Sequence, residues 1–184
     1  MAVYFELEIC VGASEAGADA ILAHMREGLG SLLIPTLTRK RSEEDWRDEA
    51  GDDAPDAWWI GLVPRGMGYG VPADLGHFIE SDDERREVVT ALYDRLRSAP
   101  PFLAAFCGFE VGEAITERDA PDEIVFLDGV WFNEVGLGTS GTVLPEAWAA
   151  KLLSPAEREG LAPFRAGQLW RPPTDDLIRL GPAP

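Results

Sequence analysis

The chain has 184 residues, with 16 Lys and Arg against 33 Asp and Glu, a formal net charge of −17. Hydrophobic residues make up 46%, which excludes wholesale disorder, and the length suits one domain that buries a core without disulfide staples. The acid excess excludes a nucleic-acid backbone or an anionic membrane surface as partner, since both are held by Lys and Arg, and it favours a partner with a cationic face.

Residues 3 to 10 alternate. Val3, Phe5, Leu7 and Ile9 face one way, and Tyr4, Glu6, Glu8 and Cys10 the other. Period 2 predicts a strand with one buried and one wetter face. A helix is expected over Glu15 to Leu29, with Ala18, Leu22, Met25 and Leu29 on one stripe and Ile21 on its flank. His24 lies off that stripe and reads as exposed. Leu32 to Thr38 reads as a second strand, with Pro35 favouring an edge.

From Glu43 to Asp56 the chain turns acidic, with eight acids opposed only by Arg47. Such a cluster repels itself and belongs in a solvated loop. Ala57 to Val63 is apolar on both faces, which predicts a strand central in its sheet. Trp58 and Trp59 then point to opposite faces, so at least one packs under a helix. A glycine-rich loop, 64–70, follows.

Ser81 opens the clearest helix. Ser81 and Glu84 have capping-box spacing, and Asp82 and Asp83 suit the positive end of the dipole. Val88 or Val89, Leu92 and Leu96 form its buried stripe, and Pro100 and Pro101 stop it. Leu103 to Val111 is the next strand. Ile124 to Leu127 and Val130 to Val135 are strands joined by Asp128-Gly129, a two-residue hairpin signal. Short helical segments are expected over 146–152 and from Ser154, where an N-cap, Pro155 and Glu157 combine.

This order predicts a single α+β domain spanning 1–184, with an acidic loop at 43–56 and a Pro-rich tail at 172–184. The expected architecture is a two-layer sandwich, a mainly antiparallel sheet with helices on one face. Its split βαβ (ferredoxin-like) order is followed by a β-hairpin and short C-terminal helices.

Chemistry is sparse in the sequence. Gly136 to Gly141 is a formal G-x-G-x-x-G, but Pro145 delays any following helix and no clear second parallel strand with an acid at its tip follows, so no dinucleotide or other cofactor is expected. No H-x-x-x-H, C-x-x-C or H-E-x-x-H spacing is present, and the acidic loop lacks the alternating register of a calcium loop, so no metal is expected. Cys107 shares parity with Ala105 and reads as a buried small hydrophobe, while Cys10 falls on the opposite parity to its own strand's core set; the two are not expected to be bonded.

Three functional readings follow. The first is a non-enzymatic, immunity- or inhibitor-like binding protein that captures a basic protein partner. Its contact residues would be Glu43, Glu44, Asp45, Trp46, Asp48, Glu49, Asp52 and Asp53, an aromatic anchor among charges. The second is a small enzyme with a site near Arg65, Tyr69, Asp74 and His77, on a glycine-rich loop beside a central strand. The third is a homo-oligomeric structural subunit, such as a homodimer. The high Ala, Gly, Pro and Arg usage suggests a bacterial gene. Two cysteines without a framework, no apolar run of about 18 residues and no signal-peptide pattern point to the cytoplasm.

Overall fold

The computed structural model describes residues 3–30, 32–33, 38–41, 57–69, 79, 81–109, 124–127, 130–133 and 141–174. β1 (Val3–Gly12) leads through Ser14 into α1 (Glu15–Leu29). The Ser14 hydroxyl accepts from Gly17 N at 3.0 Å, closing one of the orphan donors of the first turn. α1 buries Ala18, Ile21, Met25 and Leu29, the helical spacing read from the sequence with Ile21 replacing Leu22 at the centre. β2 (Thr38–Arg41), β3 (Trp58–Leu62) and the two-residue β4 (Gly68–Tyr69) follow. α2 (Asp82–Arg97) starts at Ser81, whose hydroxyl accepts from Glu84 N, and it buries Val88, Val89, Leu92, Tyr93 and Leu96.

β5 (Ala104–Phe109) returns beside β1. β6 (Ile124–Leu127) and β7 (Val130–Asn133) form a separate antiparallel ribbon, with Leu127 opposite Val130. That is the register the Asp128-Gly129 signal predicts. β8 (Thr142–Pro145), α3 (Glu146–Leu152), α4 (Pro155–Arg158), β9 (Ala162–Arg165) and β10 (Gln168–Arg171) complete the described elements.

The molecule is an α+β mix built on one antiparallel sheet. Its strand path is β2-β3-β1-β5-β8-β10-β9, and β4 pairs with the start of β1. β3 lies between β1 and β2, the two strands that flank α1 in sequence. Past β5 the sheet continues through β8, β10 and β9. The sequence reading contains none of these three, because each spans four residues and carries Pro or borders Gly. Of the strand expected over Leu32 to Thr38, positions 34–37 lie outside the described residues. Leu33 makes an isolated bridge to Pro64, and the paired strand begins at Thr38.

The two faces of the sheet are both covered, which corrects the expectation of helices on one face. On the first face Phe5, Leu7, Ile9, Ile60, Leu62, Ala105, Cys107 and Val143 form a core with α1 and α2. On the second face Cys10, Trp59, Ala104, Phe106 and Leu144 form a separate core with Trp148, Ala149 and Leu153 at α3. Cys10 is fully buried and Glu8 nearly so, so the second face of β1 is dry there. Trp59 sits under α3 and Trp58 packs against the first core, the split predicted from their alternation. Among the described residues no helix is long and apolar enough to cross a membrane.

Candidate functional site

Among the described residues, both cysteines are locked into the fold. Cys107 is buried on the first face, and burial pushes its thiol well above the ordinary range. Its neighbour Tyr93 donates its hydroxyl hydrogen to Gly141 O, and Cys107 N donates to the same carbonyl at 3.0 Å. Burial, and then the Cys107 thiol, hold the Tyr93 phenol well above its usual value. Gly141 has φ +79°, and its N–H donates to Arg171 O at 2.8 Å. The last glycine of the formal G-x-G-x-x-G therefore turns the chain into β8 and ties three elements together. Positions 136–140 lie outside the described residues.

Cys10 is buried on the opposite face, and burial pushes its thiol up to about 12 from 9.0. A thiol that keeps its proton is a poor nucleophile. The folded state holds this proton more tightly than the unfolded chain does. Its contribution to stability is therefore complete below about pH 9 and is lost as pH rises toward about 12. Two results follow. Ellman's reagent at pH 8 labels neither thiol of the native protein within the time that labels both after denaturation. Cys10→Ala flattens the loss of stability between pH 9 and 12, measured by urea unfolding.

His24 is half-buried rather than exposed, which corrects the sequence reading. Its Nε2 lies 3.1 Å from Arg95 O and 3.3 Å from Ser98 Oγ, so it serves the α1–α2 crossing. Of the glycine-loop residues, Arg65 is half-buried in the turn after β3, with its N–H on Leu32 O at 2.7 Å. Tyr69 lies on β4 opposite Val3. Asp74 and His77 lie outside the described residues, as do Glu43, Glu44, Asp45, Trp46, Asp48, Glu49, Asp52 and Asp53. Among the described residues no three His, Cys, Asp or Glu gather as a metal site would require.

Two surfaces emerge that the sequence reading missed. The first is the outer side of the two long helices. Glu15, Asp19, Glu27, Asp82, Asp83, Glu84, Glu87 and Asp94 are all exposed there. Only two of the five arginines in these helices, Arg26 and Arg86, are exposed with them. The others turn inward. Arg85 is buried, with Nη1 donating to Ile79 O and Nη2 to Asp82. Arg95 reaches across to His24 O. Arg97 lies over the adjoining Phe164 and Trp170 rings, 4.5 and 4.7 Å from their centroids. Periodicity places acids and arginines on a helix but does not say which long side chains fold back, so this −6 surface was not legible.

The second is an open groove of about 440 Å³ between the 99–103 segment and the β9–β10 hairpin. Its lining includes Pro101, Phe102, Leu103, Pro145 and Arg165. The Arg165 guanidinium lies over the Phe102 ring, 4.2 Å from the centroid. Partial burial lowers its pKa.

Comparison with protein-family models, curated proteins and solved structures returns no match for this chain.

Proposed function

We propose that this chain is a non-enzymatic binding protein, acting in the cytoplasm, that captures a basic protein as immunity proteins and inhibitors do. The observation that carries this reading is the distribution of charge. Eight acids fall within 43–56 in a chain of net charge −17. The inward arginines of α2 leave a second acidic surface along α1 and α2. Complementary charge raises association rates by about 10- to 1,000-fold and fixes which partners approach. Salt screens this attraction, with a Debye length of about 8 Å at physiological ionic strength.

The test is capture from the source cell at low and moderate salt, read by mass spectrometry, followed by titration of the recovered basic protein. Replacing Glu43, Glu44, Asp45 and Asp48 together by their amides weakens binding more than about tenfold, or about 1.4 kcal/mol. Glu84→Gln with Glu87→Gln reports the share of the helical surface. A basic protein recovered stoichiometrically and lost with salt is the expected result. Binding that survives both sets of substitutions within tenfold, or capture of no basic protein, overturns the reading.

A further inference from the structure

We infer that the groove beside the β9–β10 hairpin binds a small apolar carboxylate, with Arg165 holding the anion. The guanidinium is fixed before any ligand arrives. Its Nε donates to Gln168 Oε1 at 2.7 Å and its Nη1 to Ala99 O at 2.8 Å. Gln168 is itself buried, and its Nε2 donates to Phe102 O at 3.0 Å and Leu103 O at 3.1 Å. The Phe102 ring covers one side of the guanidinium. A side chain pinned at this many points loses little rotamer freedom on binding, which is what a preorganised site requires.

What Arg165 lacks is a counter-charge. Arg85, Arg86 and Arg95 meet Asp82, Asp83 and Glu27 respectively. Arg97 is covered by two rings. Arg165 has no carboxylate partner among the described residues, although acids outnumber bases two to one in the chain. No described group bonds its Nη2, which keeps two N–H donors available. Partial removal of a cation from water without an ion pair is costly, and a bound anion would offset that cost.

Size and lining define the ligand class. About 440 Å³ falls within the usual range for small-molecule sites. Pro101, Leu103, Pro145 and Ala166 offer apolar walls. Phosphate sites gather several donors or a long helix N-terminus, and here one guanidinium serves. Repulsion by a −17 chain also grows with ligand charge, so a monoanion is favoured over phosphate. A carboxylate on an aromatic or branched aliphatic body meets both requirements.

The test is a titration of the full chain followed by ¹H–¹⁵N NMR, using phenylacetate, its neutral isostere phenylacetamide, and inorganic phosphate. Phenylacetate should shift the amides of Leu103, Ala166, Gly167 and Gln168 saturably, with phenylacetamide and phosphate more than tenfold weaker. Arg165→Gln should abolish the shifts. Ala166 is exposed on the hairpin turn, so Ala166→Trp fills the groove without touching the bonds of Arg165, and it decides the matter if Arg165→Gln does not fold. Equal binding of acid and amide, shifts with phosphate alone, no saturable shift, or unchanged phenylacetate binding by either folded variant overturns the assignment. None of these outcomes bears on capture of a basic protein, which uses other surfaces.

Discussion

Trp148→Ala should lower the unfolding free energy by about 3–5 kcal/mol, the range for truncating a fully buried large aromatic. Trp148 is 1% exposed and anchors the second core, where Trp59 and Phe106 lie 6.3 Å apart between ring centroids. The helix carrying it has seven residues and no side-chain cap at Pro145. A helix that short does not hold itself in water, so its stability comes from packing. Loss of the indole therefore removes both the lid over the second face and the reason for α3 to form. Urea unfolding followed by circular dichroism measures the total, and hydrogen exchange at Ala149 to Leu153 reads the helix separately. Trp148→Phe should retain more than half of the lost stability. A cost under about 1 kcal/mol would show that α3 does not close the second face.

The same helix marks how far the sequence could be read. Periodicity located β1, α1 and α2, because each alternates or repeats over enough residues to define a buried side, and an unbroken apolar run located β3. Local chemistry located the caps. At Ser154 both bonds of the capping box form, with Ser154 N on Glu157 Oε2 at 2.7 Å and Glu157 N on Ser154 Oγ. Those bonds hold the Glu157 carboxyl below its ordinary pKa. Neither signal reaches the second face. Cys10 looks like part of a wet face on local alternation, and it is dry because residues distant in sequence, Trp59, Phe106, Leu144 and Trp148 among them, gather over it. β8, β9 and β10 have four residues each, too few for period 2 to stand out, and Pro163 and Gly167 argue locally against strands. The groove at Arg165 was illegible for a related reason. Its parts come from positions 99–103, 145 and 165–168, and nothing in their spacing announces that Gln168 reaches back to Phe102 O.

Gly28 offers a substitution whose sign should depend on a residue 67 positions away. Alanine in place of glycine within a helix is ordinarily stabilising by about 0.5–1 kcal/mol. At Gly28 an added Cβ would lie 2.3 Å from Arg95 Nε and 2.6 Å from Arg95 Cδ. The guanidinium would have to leave His24 O, to which Nε and Nη2 donate at 2.9 and 2.6 Å, and Glu27, to which Nη2 donates at 3.4 Å. Hydrogen bonds from a charged donor contribute about 1.5–3 kcal/mol when protected from water. Arg95 is about a quarter exposed, and Glu27 is a solvated partner of little weight, so the low end applies. The bond loss exceeds the propensity gain, and Gly28→Ala alone should destabilise by about 1 kcal/mol. In an Arg95→Ala background the obstruction is gone, and the same change should stabilise by about 0.5–1 kcal/mol. A double-mutant cycle by urea unfolding reads this coupling directly. Stabilisation by Gly28→Ala in both backgrounds would mean that Arg95 swings aside without cost, and that the α1–α2 crossing does not depend on it.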